Sequence, residues 1–335
     1  MNKLCDLFGK SRQAYYQLSK YNYKEEIKTE ILLQLVEKER KIMPRIGGRK
    51  LLQRIQPHLP EELYLGRDSF FDFLRDKGLL IRKRHNRVRT TYSNHWLRKY
   101  PNLIKDFIPD KAHQLWVSDI TYIETMEGFG YLSLVTDAYS RKLIGWELGE
   151  TLEAKHTVKA LQMALNQLPK TTTNTIHHSD RGVQYCCDDY VKLLNKNQFQ
   201  ISMTENGDPR ENAIAERVNG ILKTEWLNQL KLTTLDQAKT QLDSVIKTYN
   251  QLRPHSSLDM KTPEYAHSQF GNFKKHWKNY YYTSKNTEQK INNFVSPNKA
   301  MAKLYTIALK PNGVSNPISV LPNKAQALHY PLHTE

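Results

Sequence analysis

Cysteine is scarce in this chain. Cys5 stands alone, and Cys186 and Cys187 are neighbours. Thiols so placed give neither the framework of a disulfide-rich secreted domain nor the paired spacing of a zinc site. Long apolar runs are missing as well. No stretch of about 18 apolar residues occurs, so no transmembrane helix is expected. The opening MNKLCDLFGK lacks the apolar stretch of a signal peptide. No internal repeat is visible. Acid is also in short supply: 34 Asp and Glu stand against 50 Lys and Arg, a formal net charge of +16. Such an excess implies a polyanionic partner. With a membrane disfavoured, the expected partner is nucleic acid. The expected location is the cytoplasm, associated with the nucleoid when bound to DNA.

What the sequence does hold falls into three regions, consistent with 335 residues at roughly 150 per domain. Residues 1–105 read as helical and basic. Ile27, Ile31 and Leu35 recur at four-residue steps and predict a helix over 24–42, ended by Pro44. A short helix is expected over 49–55. Another is expected over 68–77, with Phe70, Phe71 and Leu74 on its buried face, Asp68 as its cap and Gly78 at its end. Short helices joined by Gly-containing turns suit a helix-turn-helix module. Directly after it, residues 81–89 carry Arg82, Lys83, Arg84, Arg87 and Arg89 without an acid. Such a run is commonly only a solvated face, but beside a helical module in a basic chain it points to phosphate contact.

From about residue 106 to 268 the pattern changes to mixed α/β. Strands are expected over 116–122, 130–137 and 141–148. A helix follows over 154–168, a strand over 175–178 and a helix over 188–197. A last short strand covers 200–202, and long helices start near 212 and 234. Three strands followed by alternating helix and strand describe a layered α/β fold. Residues 269–335 form a basic extension; from Gly271 on it holds nine lysines, no arginine, and only Glu288 and Glu335 as acids. Trp277, Tyr280, Tyr281 and Tyr282 lie among those lysines. A soluble tail and a strand-binding surface explain it equally well.

Three carboxylates carry the chemistry. Asp119 sits in mid-strand, where Asp is depleted. Asp180 follows a strand end, where sites of α/β folds gather. Glu216 lies one turn into the helix starting near 212. Three carboxylates brought together repel one another unless cations bind. Mg²⁺ suits oxygen donors, and two such ions can serve in-line displacement at a phosphodiester. From the residues alone this supports a metal-dependent nuclease or transferase.

WVSDITY, VTDAYSRKLIGW, HHSDRGVQY, SMTENGDPRENAIAERVNGILKTE and YNQLRPHSSL occur in that order. These motifs resemble the insertion-sequence transposases with a retroviral-integrase-type core, and more narrowly the second-frame product of insertion-sequence family three. Thirty-five residues separate Asp180 from Glu216, and Lys223 stands seven positions beyond Glu216, as in that family's pattern. The resemblance covers about residues 1–268. It implies an RNase H-like mixed sheet flanked by helices, two Mg²⁺ or Mn²⁺ ions, and cleavage and strand transfer on double-stranded DNA. It also implies a homo-oligomer on DNA and a first-frame partner or frameshift fusion.

Asn219 and Lys223 share the helical face of Glu216 and are expected to contact DNA. Gly207 gives the loop before that helix room to move. Asp137 reads as a turn-forming residue, and His177 and His178 as buried or phosphate-contacting rather than metal-binding. Arg181 and Gln184 are further candidates for DNA contact. Arg253, Pro254 and His255 belong to a matched motif without an evident role. Two rival readings are an RNase H-type nuclease and a DNA-binding regulator with an inactive core; the full triad argues against the second.

Overall fold

The computed structural model describes residues 7, 9, 11–81, 96–170, 172–205 and 209–273, with the backbone only at 209 and 210. The basic run from Arg82 to Arg89, Gly207, and the tail beyond 273 lie outside the described residues. Spatial contacts group the chain into Met1–Trp277 and Lys278–Glu335; every described residue belongs to the first of these units.

The N-terminal region is α-helical: α1 (Arg12–Ile42), α2 (Gly48–Ile55) and α3 (Arg67–Asp76). The first helix begins twelve residues before the periodicity predicts. Ser11 caps it, its hydroxyl accepting from the Ala14 N–H at 3.0 Å, and neither Gly nor Pro interrupts the run. Its first turns bury no face, with Tyr15, Tyr16, Leu18 and Tyr21 exposed, so no apolar stripe marks them in the sequence. The buried stripe itself is Leu32, Val36 and Glu39, one position beyond the expected Ile31 and Leu35; Ile27 is exposed. In α3 the cap is Gly66, and Asp68 instead pairs with Arg67 within the first turn. Phe70 and Leu74 are buried and Phe71 half-buried, as expected. Gly78 adopts φ +66°. Glycine takes that left-handed conformation without the clash a Cβ would bring, and the helix ends there.

The second layer is a five-stranded mixed sheet in the order β3-β2-β1-β4-β5. Its strands are β1 (Leu115–Thr125), β2 (Gly128–Asp137), β3 (Leu143–Gly149), β4 (Ile176–Ser179) and β5 (Gln200–Met203). β1, β2 and β3 form an antiparallel meander. β4 and β5 join parallel to β1, as crossover connections allow. This is the RNase H-like arrangement that the resemblance implied. The crossover helices are α4 (Ala154–Leu165), the short α5 (Val183–Cys186) and α6 (Asp188–Lys196). They bury one face of the sheet through Trp116, Val135, Ile144, Leu161 and Tyr190. A Cβ at Gly145 would lie 2.1 Å from the Ala160 carbonyl oxygen, so only glycine lets α4 approach β3 this closely.

On the other face lie α7 (Ala213–Glu225) and α8 (Leu235–Gln251), followed by α9 (Pro263–His267). Leu32, Val36, Leu51, Ile55 and Phe70 of the helical region share one apolar cluster with Leu132, Leu134, Ile221, Leu222, Leu242 and Tyr249. The helical region therefore completes the core of the sheet layer. Polar contacts cross the same seam. The Trp226 indole N–H donates to the Ile42 carbonyl at 3.0 Å, and Arg54 donates to the Leu252 carbonyl at 3.0 Å. Arg253, fully buried, donates two hydrogen bonds to Glu225 at 2.8 and 2.6 Å. Lys50 of α2 stands 3.7 Å from the same carboxylate.

Candidate active site

Asp119 lies at the point where β1 loses a neighbour. β4 pairs with β1 only at Leu115, Trp116 and Val117, so at Asp119 no described strand pairs with β1 on that side. Asp180 follows directly on β4. Its carboxylate accepts from the Gly182 N–H at 3.0 Å, a local turn that fixes the side chain at the strand's carboxyl end. Glu216 is exposed in the first turn of α7, where the helix dipole favours an acid. The start of α7 is tied to β1 by Asn212, whose amide donates to the Ser118 carbonyl at 3.0 Å. Three elements thus bring the three carboxylates into one electrostatic field.

The field shows in Asp119. Burial, then the charge of Asp180, with Glu216 adding, push its carboxyl up to about 8. Two hydrogen bonds oppose the rise: the Ile120 N–H on Oδ1 at 2.9 Å and the Asn219 amide on Oδ2 at 2.7 Å. Lys223, one turn beyond Asn219, has its ammonium 3.8 Å from the centre of the Tyr122 ring. Burial lowers the Lys223 pKa, and the charge of Asp119 works against that. The helical face of Glu216, Asn219 and Lys223 is thus turned to Asp119. Asn219 itself is buried.

The donor set suits a hard divalent cation: three carboxylates whose mutual repulsion such an ion would relieve. The Tyr185 hydroxyl adds to that fit. It is buried without a hydrogen-bond partner, and burial, Tyr190, Asp119 and Asp180 all raise its pKa. Among the described residues, no three His, Cys, Asp or Glu side chains close tightly enough to form a ready-made metal cluster.

The remaining candidates take structural places. Asp137 is fully buried and accepts from the His113 N–H, the Ser140 N–H and the Ser140 hydroxyl, which makes it the residue that shapes the β2–β3 turn. His177 shares hydrogen bonds with the Ser118 and Tyr190 hydroxyls at 2.8 and 2.9 Å. Burial brings its pKa down to about 3. His178 bonds the Ser202 hydroxyl at 2.8 Å. Gln184 donates to the Leu152 carbonyl. Sequence reasoning missed Asn212, Tyr122 and Tyr185 as members of the site, and Glu225 as the partner of Arg253. All four stand inside the matched motifs, and that was the available signal.

Family models described as "Integrase core domain" match residues 109–209 and 197–263. The "Insertion element IS600 uncharacterized 31 kDa protein" of Shigella sonnei is 33% identical over 265 residues, covering 78% of this chain and 96% of that protein. "Transposase InsF for insertion sequence IS3A" of Escherichia coli (strain K12) is 34% identical over 193 residues, 57% of this chain and 67% of that one. Among solved structures, the HTLV-2 integrase catalytic core domain in complex with magnesium (trimeric form) aligns at 19% identity with a TM-score of 0.39. It covers 48% of this chain and 99% of that one.

Proposed function

The chain belongs to the insertion-sequence transposases with an integrase-type core, and we propose that it cuts and joins DNA through Asp119, Asp180 and Glu216. Its role is DNA transposition. The observation that supports the triad most strongly is the raised Asp119 carboxyl, driven up by burial and by two further acids from separate elements. Asp119 accepts from Ile120 and Asn219, yet the charges that move its carboxyl are those of two acids. Such crowding is characteristic of a site built for cations.

Asp119, Asp180 and Glu216 would hold the divalent ions, Mg²⁺ or Mn²⁺ and two per site. Such ions supply activation of the attacking oxygen and neutralisation of charge at the leaving oxygen. The chain's own residues do the rest. Ile120 and Asn219 fix both oxygens of Asp119, so that its carboxylate does not rotate. Lys223 offers a cation beside Asp119 for a backbone phosphate. Asn212 and Ser118 keep α7, and with it Glu216, at the open end of β1. Arg82, Lys83, Arg84, Arg87 and Arg89 would extend phosphate contact from the helical region. Joining element ends to a target requires two ends held together, so the working form is a homo-oligomer on double-stranded DNA. A first-frame partner or frameshift fusion supplies further end recognition. No described helix is long and apolar enough to cross a membrane.

The direct test incubates labelled element-end DNA with the full chain and Mg²⁺ or Mn²⁺, beside Glu216→Gln. Nicked and joined products from the wild type alone are expected. Products from Glu216→Gln at wild-type rate would remove Glu216 from the reaction.

A further inference from the structure

Asp119 and Asp180 stand at matching places past the end of a ladder. The last pair between the parallel strands β1 and β4 is Val117 with His178. Each aspartate lies two residues beyond its own strand's member of that pair. Past that point no backbone pairing between described residues of β1 and β4 fixes how far the two acids stand apart. On its other edge β1 stays paired with β2 through Asp119 and beyond. The separation of the two aspartates therefore depends on what else joins β1 to β4.

Ser118, between the last pair and Asp119, makes that connection. Its side chain points to the sheet face opposite Asp119. There its hydroxyl bonds the His177 Nε2 at 2.8 Å, and the Tyr190 hydroxyl of α6 bonds the same nitrogen at 2.9 Å. All three side chains are fully buried, and burial keeps the imidazole neutral, its pKa down to about 3. The Ser118 backbone is held too, its carbonyl accepting from the Asn212 amide at 3.0 Å. One residue is thus tied by its hydroxyl to β4 and by its carbonyl to the start of α7. Asp119 comes directly after Ser118, Asp180 three residues after His177, and Glu216 four after Asn212. The elements that carry the three acids meet at this serine. Apolar side chains of the same shape would fill the layer about as stably, so stability alone does not account for the network. Directional bonds in a buried network fix geometry instead.

We propose that Ser118 is a positioning residue: by clamping β1 to β4 and to α7, it sets a spacing of Asp119, Asp180 and Glu216 that suits Mg²⁺ over a larger divalent ion. This rests on the reading of the three acids as a metal site. Mg²⁺ demands near-ideal octahedral geometry, whereas Ca²⁺ accepts flexible arrangements and varied ligand numbers. Loosening the clamp therefore penalises Mg²⁺ first. Ser118 acts from the far face of the sheet, through the backbone of Asp119 and through the start of α7.

The test needs neither DNA nor catalysis. Melting temperatures of the full-length wild type, Ser118→Ala, Tyr190→Phe, Trp226→Phe and Asp119→Asn are followed across titrations of Mg²⁺ and of Ca²⁺. Each rise reports binding to the folded state and gives an apparent affinity. The wild type is expected to respond to both ions, and Asp119→Asn to lose the response. Ser118→Ala should need about tenfold more Mg²⁺, the scale of losing a group one step out from a metal ligand. Its need for Ca²⁺ should stay within about twofold of the wild type, because that ion tolerates the looser site. Tyr190→Phe, which removes the second hydroxyl on His177, should shift Mg²⁺ the same way by less. Trp226→Phe loses a hydrogen bond away from the acids and should keep the wild-type ratio of the two ions; a Ser118 that served stability alone would behave like it. An unchanged Mg²⁺ requirement in Ser118→Ala, or equal weakening toward both ions, overturns the clamp while the metal site stands. Failure of the metal reading looks different: the wild type then shows no Mg²⁺ response that Asp119→Asn removes, and the clamp falls with it.

Discussion

Asp119 and Glu225 are both shielded carboxylates packed at α7, and their neighbours differ in sign. Asp119 faces Asp180 and Glu216, and its carboxyl is driven up to about 8. Glu225 faces Arg253, Lys50 and Arg217. Burial alone would raise its carboxyl, but the hydrogen bonds and charge of Arg253, with the other two cations, leave it below the usual value. Burial is thus not what separates these two acids. The sign of the surroundings is. Around Glu225 the protein has completed the pairing itself, and the result ties the helical region to the sheet layer. Around Asp119 it has gathered more of the same charge, which on the proposed function a cation completes.

Substitutions should break this pair in opposite directions. The largest effect is on chemistry. Asp119→Asn is expected to reduce cutting and joining by two to three orders of magnitude or more, on the scale of losing one strong electrostatic group at a reacting centre. Its melting temperature should be at or above that of the wild type, because one of three crowded acids is gone. A melting temperature several degrees lower would place Asp119 among the structural residues. Next comes stability. Arg253→Leu strands Glu225 without its bidentate partner and should lower the unfolding free energy by about 3 kcal/mol in denaturant melts. Adding Glu225→Leu should restore part of that loss; no restoration would mean that the two residues act independently.

A smaller effect is expected for Trp226→Phe. It removes the indole donor to the Ile42 carbonyl and should cost about 1 kcal/mol, with cutting of pre-bound DNA unchanged. The last effect is absent at neutral pH and appears only in acid. His255, beside Arg253, has its pKa held well below 6.5 by burial, with the nearby cations adding. Its contribution is therefore complete above pH 6.5 and is lost as pH falls below that, since the unfolded chain takes the proton first. The slope approaches about 1.4 kcal/mol per pH unit. Burial lowers His177, His178 and His267 in the same direction, so His255→Phe should reduce the slope just below pH 6.5 by its own share, and an unchanged slope would exclude His255 as a contributor.

Much of this is legible in one sequence. The strands around Asp119 and Asp180 follow from alternation and apolar runs, and the order of elements specifies the layered fold. Gly78 is readable as a helix end because its conformation is a property of the residue itself. Asp68 reads wrongly as a cap because Gly66 fills that place without a side-chain signal. The start of α1 is hidden because its exposed first turns have no core to face. The pairing of Arg253 with Glu225 is out of reach for another reason. It joins positions far apart in the chain, and nothing local reports which acid a given arginine meets. The same holds for Asn219 on Asp119, although the shared helical face with Glu216 is visible in the spacing.

If the contrast holds, a divalent cation completes the Asp119 cluster, whereas the Glu225 cluster is complete without one. Thermal melting of the wild type, Asp119→Asn and Glu225→Gln, each with and without millimolar Mn²⁺, tests this most directly. Mn²⁺ is expected to raise the melting temperature of the wild type and of Glu225→Gln, through binding to the folded state, and to leave Asp119→Asn where it was. An equal rise in Asp119→Asn would contradict it.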